Sequence, residues 1–132
     1  MENSGISVEA VIALGSNHGD RYGNIALAAE YLASELKEFS CSEIYETPAL
    51  NGIDNPYLNA VACGTTTLPY EALNSLLKNW ETAHGRTSEA RMRHEVTIDL
   101  DVVMYGGAVI RPADAARDYF TRGYSMIDHP AE

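Results

Sequence analysis

Two aspartates at alternate positions of an otherwise apolar segment are the feature of the sequence best suited to chemistry. Asp99 and Asp101 alternate with the apolar residues Ile98, Leu100 and Val102. Strand side chains alternate between faces, so both carboxylates are expected on one face, roughly 6–7 Å apart at the backbone. Carboxylates are costly to bury without a partner, and Mg²⁺ takes one or two carboxylates together with water and phosphate oxygens. The pair therefore predicts a divalent-cation site, and the alternative is a solvated sheet face paired with arginines.

Three arginines lie shortly before this pair, in the segment that leads into it. They are Arg86, Arg91 and Arg93. Planar guanidinium groups suit phosphate oxygens and the charge that develops in phosphoryl transfer. The alternative for each is ordinary surface charge on an acidic protein.

Two further segments have weaker chemical signals. Tyr57 and Asn59 share a strand face, where a ring beside an amide could stack on and hydrogen-bond a flat heterocycle; a core tyrosine is the alternative. Gly15-Ser16-Asn17 is either an anion-binding turn or a plain strand-to-helix turn. Neither a Walker A pattern nor a G-x-G-x-x-G pattern occurs in the sequence.

The hydrophobic pattern predicts six regular elements that would position these residues. Asp20 is expected to cap the first helix, and Pro69 suits the start of the second. The predicted strands are 8–14, 39–47, 57–67 and 97–105, and the predicted helices are 22–37 and 69–84. Residues 85–95 are predicted to be polar and irregular. The order β-α-β-β-α-β predicts an α+β, ferredoxin-like fold, with helices on one face of a mainly antiparallel sheet and the other face open to a ligand.

Length and charge limit the possible classes of function. The 132 residues are expected to form a single domain, 1–132. A formal net charge of −10 disfavours binding to nucleic acid or to an anionic membrane. No apolar run is long enough to cross a membrane, and the first residues lack a signal-peptide pattern, so a cytoplasmic location is expected. Cys41 and Cys63 are too widely spaced for a zinc pattern and are expected to be reduced.

Taken in chain order, the candidate segments resemble those of one enzyme family. They are Gly15-Ser16-Asn17, Tyr45-Glu46-Thr47-Pro48, Tyr57-Leu58-Asn59-Ala60, Glu81 with Gly85-Arg86, Thr97-Ile98-Asp99-Leu100-Asp101 and Tyr105-Gly106. Their order and spacing resemble the 6-hydroxymethyl-7,8-dihydropterin pyrophosphokinases from about Val11 to Gly107, with a weaker echo at Arg122-Gly123-Tyr124. T-I-D-L-D with an upstream Y-E-T-P is the most specific part of the match.

The resemblance implies a fold, a reaction and a set of site residues. Members have a ferredoxin-like core and transfer pyrophosphate from ATP, the co-substrate, to the pterin hydroxymethyl group on the folate pathway. The resemblance places two Mg²⁺ ions on Asp99 and Asp101. It implies a pterin pocket of Thr47, Pro48, Leu50, Tyr57 and Asn59, with Tyr124 as a second aromatic plate. It implies a phosphate contact from Arg86, an acid near the nucleotide at Glu81 and a further basic residue near the site at Arg122. We therefore expect nucleotide binding by Glu81, Arg86, Arg91 and Ile98, and catalysis by Arg86, Arg93, Asp99, Asp101 and Arg122. The expected partners are these small molecules alone, with a monomer or a weak homodimer as the expected state.

The chain departs from the family pattern just before T-I-D-L-D. Where members have R-W-G-P-R, this sequence has Met92-Arg93-His94-Glu95-Val96, so Arg93 stands at the tryptophan and Val96 at the last arginine. The family's P-H pair before Arg122 is absent, and members usually continue further at the C-terminus, so a divergent, C-terminally short member is expected.

Three hypotheses about function follow from these departures. If Arg91 or Arg93 replaces the missing arginine, the chain is an active pyrophosphokinase. If none does, it is an impaired relative that binds a pterin or a nucleotide without efficient turnover. Because the fold is widely reused, an unrelated interaction domain is the third hypothesis.

Overall fold

A central sheet flanked by two long helices positions the predicted site. The computed structural model describes residues 6–128. Its strands are β1 (Val8–Ser16), β2 (Lys37–Cys41), β3 (Tyr45–Thr47), β4 (Tyr57–Thr66), β5 (Asp99–Tyr105) and β6 (Ala108–Val109). Its helices are α1 (Arg21–Glu35), α2 (Tyr70–Ala83), α3 (Ser88–Met92), α4 (Pro112–Ala115) and α5 (Asp118–Tyr124). Within this range no helix has both the length and the apolar character needed to span a bilayer.

The sheet has the order β2-β4-β1-β5-β6, and β3 pairs with the start of β4. All strand pairings in the described range are antiparallel. The outer strand β2 is irregular, because its register with β4 shifts between Lys37 and Ser40 and Glu38 has a φ of 52°. The element order and the antiparallel sheet confirm the predicted α+β, ferredoxin-like fold.

One face of the sheet packs on α1 and α2 and forms the larger part of the core. The strand residues buried there include Ile12, Leu14, Leu100 and Val102, and the helices contribute Ile25, Ala28, Leu32, Leu73 and Leu77. These helical residues lie at the spacing from which the helices were predicted. Asp20 caps α1 as expected, since its Oδ1 accepts a hydrogen bond from the Gly23 amide at 3.0 Å.

The opposite face of the sheet is divided into an apolar half and a polar half. Val11, Val61 and Val103 pack beneath Phe120 of α5. A Cβ added to Gly123 would lie 2.6 Å from Val61 Cγ2, so glycine is what lets this helix approach the sheet closely. Helix α5 thus covers the apolar half, and within residues 6–128 the cavity on this face lies over the polar half, which differs from the prediction that this whole face would be uncovered.

Three stretches differ from the elements predicted. The predicted strand 39–47 is two strands, because the Ser42 hydroxyl accepts from the Val61 amide at 2.9 Å and so replaces a regular backbone ladder bond. The stretch 85–95, predicted to be irregular, contains α3, which Thr87 caps by accepting from the Ala90 amide at 3.1 Å. The elements after Gly107 were not predicted, because two to seven residues are too few to show a hydrophobic period.

Candidate functional site

A cavity of about 350 Å³ opens over the polar half of the second sheet face. Alternate residues of three adjacent strands line it: Ala13 and Gly15 of β1, Tyr57 and Asn59 of β4, and Asp99 and Asp101 of β5. The stretch 47–51, Asp54, Arg111, Asp114 and Tyr119 contribute to the remaining lining. The cavity thus adjoins the two aspartates predicted to bind a cation and all the predicted pterin residues except Tyr124.

Three carboxylates, which we call the acid cluster, converge beside this cavity, and two of them line it. Glu81 of α2 and Asp99 and Asp101 of β5 each offer an oxygen, and these atoms all lie within 4.8 Å of one another. The neighbouring strand leaves room for the two aspartates, because β1 places Gly15 opposite Asp99 and Ala13 opposite Asp101. The predicted sharing of one strand face by Asp99 and Asp101 is confirmed.

The ammonium group of Lys78 lies within the acid cluster. Its Nζ is 2.9 Å from Glu81 Oε2 and 3.0 Å from Asp101 Oδ1, and it donates to the Leu100 carbonyl at 2.8 Å. Burial alone would lower the pKa of Lys78, but the charges of Asp101 and Glu81 and their hydrogen bonds raise it above its usual value. Lys78 was not predicted as a site residue, although its spacing of three from Glu81 on a helix was a signal for an ion pair.

The two aspartates of the acid cluster have different electrostatic environments. Burial, followed by the charges of Asp101 and Glu81, raises the pKa of Asp99. Burial acts in the same direction on Asp101, but Lys78 and a hydrogen bond with Asp99 outweigh it and lower the pKa of Asp101. The charged form of Asp99 is therefore the less stable of the two carboxylates, and a further cation beside it would stabilise that charge.

Arg86 approaches the acid cluster from the end of α2. Gly85, with a φ of 106°, turns the chain after the helix. Arg86 Nη1 lies 3.5 Å from Asp99 Oδ1 and 3.8 Å from Glu81 Oε1. Among residues 6–128 this buried nitrogen has no hydrogen-bond acceptor, which is costly for a guanidinium group. An acceptor such as a phosphate oxygen would satisfy it.

The chemistry of the acid cluster fits a hard divalent cation. Its ligand atoms are carboxylate oxygens, which Mg²⁺ prefers, and Asp99 is the most open of the three, with 35% of its side chain exposed. The unsatisfied Arg86 nitrogen beside Asp99 fits the phosphate oxygens that accompany Mg²⁺ in nucleotide sites.

Asn59, Thr47 and Tyr57 form a polar corner of the cavity. Asn59 is 5% exposed, and its Nδ2 donates to Thr47 Oγ1 at 2.7 Å, which fixes the plane of the amide. The Tyr57 ring lies beside Gly15, where an added Cβ would come within 3.4 Å of it. Burial and the charge of Asp99 raise the pKa of Tyr57, so its hydroxyl stays protonated at neutral pH.

Three linked residues in the cavity lining were not predicted from the sequence. Arg111 Nε and the Tyr119 hydroxyl both donate to the carboxylate of Asp114. Arg111 Nη1 is 4.0 Å from Asp101 Oδ1, so this guanidinium group lies next to the acid cluster. Arg111 and Asp114 are three residues apart, a spacing that favours an ion pair in a helix. Their closeness to Asp101 could not be read from the sequence, because it depends on how the chain folds back after β5.

Asn17 holds the stretch that departs from the family pattern. Its side-chain oxygen accepts from the Val96 amide at 2.6 Å, its backbone amide donates to the Val96 carbonyl at 2.8 Å, and its Nδ2 donates to the His94 carbonyl at 3.1 Å. Arg93, whose side chain is 63% exposed, and Arg91 are not among the residues lining the cavity.

Five other predicted site residues also lie outside the cavity lining, namely Glu81 and Arg86 at the acid cluster and the three described next. Arg122 is stacked on Tyr45, with its guanidinium carbon 4.6 Å from the ring centroid. Tyr124 packs on Phe120 at 5.4 Å between ring centroids, whereas the aromatic residue that joins Tyr57 in the cavity is Tyr119. Ile98 is buried in the core under α1 and α2.

The ferredoxin-like sheet carries a cavity in which carboxylates and basic groups lie beside an aromatic ring and an amide. Such a cavity is typical of proteins that bind small molecules. Comparison with known sequences gives the family. The 7,8-dihydro-6-hydroxymethylpterin-pyrophosphokinase family matches residues 11–129, and the chain belongs to this family.

Individual relatives support the assignment over most of the chain. The chain is 34% identical over 127 residues to a 2-amino-4-hydroxy-6-hydroxymethyldihydropteridine pyrophosphokinase of Aquifex aeolicus, covering 89% of this chain and 77% of that protein. It is 36% identical over 104 residues to the protein of that name from Methylorubrum extorquens, covering 76% and 65% respectively. It is 38% identical over 103 residues to a folate synthesis bifunctional protein of Arabidopsis thaliana, covering 74% of this chain and 21% of the plant protein. The chain thus spans less than two thirds of the length of the last two relatives.

Proposed function

We propose that the protein transfers pyrophosphate from ATP to 6-hydroxymethyl-7,8-dihydropterin and releases AMP. The observation that carries this proposal is the shared cavity, in which the acid cluster adjoins the polar corner of Asn59, Thr47 and Tyr57. A reaction between a metal-bound triphosphate and a flat heterocyclic alcohol needs these two kinds of site side by side.

In this proposal the polar corner holds the pterin. The Tyr57 ring packs against the flat heterocycle, and the fixed amide of Asn59 hydrogen-bonds its edge. Thr47 supports this amide, while Pro48 and Leu50 cover the ring from the loop after β3. The cavity thereby shields the hydroxymethyl oxygen from water and directs it toward the acid cluster.

The acid cluster and its arginines hold the triphosphate. Asp99 and Asp101 would bind Mg²⁺, which when bound neutralises charge on the phosphate oxygens. The unsatisfied Nη1 of Arg86 donates to a phosphate oxygen. Arg111, which Asp114 holds beside Asp101, takes the role of the arginine that is missing at Val96. The hydroxymethyl oxygen forms a bond to the β-phosphorus and gives up its proton to solvent, the bond from that phosphorus to the α-phosphate oxygen breaks, and AMP leaves with that oxygen.

The other roles expected from the sequence stay predictions. They concern Glu81, Arg91, Arg93, Ile98, Arg122 and Tyr124. The cytoplasmic location and the monomeric or weakly dimeric state also stay predictions.

The direct test measures AMP release from ATP, Mg²⁺ and hydroxymethyldihydropterin. We expect Mg²⁺-dependent release that Asp99→Asn abolishes. In calorimetry with an ATP analogue present, Asn59→Ala should weaken pterin binding by about 1–3 kcal/mol, because a buried partner is lost. Asn79→Ala, an exposed change on α2, is the matched control. Binding of both ligands without AMP release would instead support the impaired relative, and failure to bind either ligand would refute the proposal.

A further inference from the structure

Lys78 uses its full hydrogen-bonding capacity inside the acid cluster. An ammonium group has three N–H donors. In this structure they are directed to Glu81 Oε2, Asp101 Oδ1 and the Leu100 carbonyl, at 2.9, 3.0 and 2.8 Å. Lys78 is therefore a fixed cation with fully satisfied donors, and its position is set by the packing of α2 against β5.

The buried carboxylate of Glu81 needs the charge of Lys78 as its counterion. Its side chain is 4% exposed, and the same oxygen that contacts Lys78 accepts a hydrogen bond from the Leu100 amide at 2.7 Å. The other nearby cation, Arg86, is 3.8 Å away from the second oxygen. Moving Lys78 out of the cluster would leave a buried carboxylate without its closest counterion, and breaking a buried ion pair in this way is strongly unfavourable.

A metal ion at the same position would have to displace Lys78. Mg²⁺ binds oxygen at about 2.0–2.1 Å, so an ion on Asp101 Oδ1 between Asp101 and Glu81 would overlap the position of the ammonium. Asp99 is different, because its Oδ1 is 3.9 Å from Lys78 Nζ and its side chain is the most exposed of the three carboxylates. One part of the acid cluster is thus filled by the protein itself, and the part beside Asp99 is open.

We propose that Lys78 is a tethered cation that fills one of the two cation positions predicted by the family resemblance, so that this chain binds its nucleotide with one divalent ion. That ion lies on the Asp99 side of the cluster. The inference rests on the proposed function in that a nucleotide must bind this cavity.

Counting bound ions tests the inference directly. Protein and an ATP analogue with a non-hydrolysable bridge between the α- and β-phosphorus are mixed at equal concentrations well above their Kd. Mn²⁺ is then titrated, and the free ion is measured by electron paramagnetic resonance. We expect one Mn²⁺ per complex for the wild type and two for Lys78→Gln, which keeps much of the side-chain length and removes the charge. Lys37→Gln removes the same charge from exposed β2 and should bind one ion.

The nucleotide-free protein provides a second readout. Removing a positive charge beside a divalent ion should tighten Mn²⁺ binding by about tenfold or more in Lys78→Gln, and not in Lys37→Gln. Two ions in the wild-type complex would overturn the inference while leaving the proposed function intact, and this result does not depend on whether the variant folds. Failure of the wild type to bind the analogue would refute the proposed function, and the inference with it.

Discussion

At the residue scale, the arginines divide into those that reach the acid cluster and those that extend away from it. Arg86 and Arg111 have guanidinium nitrogens 3.5 Å from Asp99 and 4.0 Å from Asp101 respectively. Arg93, the replacement suggested by sequence position, is largely exposed. A donor can stabilise a transition state only if it reaches the developing charge, which is why we propose Arg111 rather than Arg93 as the replacement for the arginine missing at Val96.

Arg111→Ala should lower the rate of AMP release by about 10²-fold, the scale of one lost transition-state donor. Arg117→Ala removes an exposed arginine from the same part of the chain and is the matched control. Arg93→Ala, assayed in parallel, separates the two candidates. A loss confined to Arg93→Ala would show that the loop before β5 supplies the replacement.

Site residues were predictable when their placement depends on neighbours in the sequence, and not when it depends on residues far away in the chain. Asp99 and Asp101 could be placed on one face because strand alternation is a local property. Lys78 and Arg111 could not be placed beside them, because each position depends on packing between distant elements. The presence of Tyr119 in the cavity lining was not predictable for the same reason, since it depends on where α5 begins.

At the scale of elements, Tyr45 ties the short strand β3 to helix α5. Its hydroxyl donates to the Tyr119 carbonyl at 2.6 Å and accepts from the Gly123 amide at 2.9 Å. Tyr45 is 8% exposed, and burial raises its pKa to about 12. This contact fixes α5 on the apolar half of the sheet face and so helps to position Tyr119 at the cavity.

Tyr45→Phe should lower the free energy of unfolding by about 1–3 kcal/mol, because two buried backbone groups lose their partner. The folded protein holds the hydroxyl proton more tightly than the unfolded chain, where tyrosine titrates near 10. The difference in unfolding free energy between the wild type and Tyr45→Phe should therefore be complete below about pH 10 and decline as the pH rises toward 12.

Denaturant unfolding of both proteins across this pH range measures the difference. Tyr22→Phe, at a position 64% exposed, should have no comparable effect. An advantage that is unchanged at pH 12 would contradict the assigned role of the neutral hydroxyl.

The long elements were predictable for a physical reason that the short ones lack. Helices α1 and α2 bury residues at regular helical spacing, and the first four residues of β5 alternate between half-buried and buried. Helix α5 has only two buried residues, Phe120 and Gly123. Two positions are too few to show a helical period, so the sequence does not reveal that this helix packs on the sheet.

At the scale of the whole molecule, the protein has a formal net charge of −10, yet its site is proposed to bind an anion. Lys78, Arg86 and Arg111 supply positive charge within a few ångströms of the acid cluster. The long-range field is nevertheless repulsive to a nucleotide, whereas the attraction acts only at short range.

The association rate of a fluorescent ATP analogue should therefore rise a few-fold as ionic strength increases from about 0.01 to 0.15 M, because the Debye length falls from about 30 to 8 Å. Stopped-flow mixing measures this rate, and the uncharged pterin is the control that should show little change. A rate that falls with salt would mean that the local basic groups dominate the encounter.

The irregular outer strand β2 has a consequence for how the protein behaves at high concentration. An exposed edge strand can recruit a strand from another chain and so begin aggregation. Here Glu38 has a left-handed backbone, and Lys37 and Glu38 present charges to solvent. On the opposite side β6 has only two residues, and Lys78 and Glu81 hydrogen-bond the Leu100 backbone in the part of β5 that β6 does not cover. Both edges are therefore poor templates for intermolecular sheet growth, so the chain should resist fibril formation even when it is crowded.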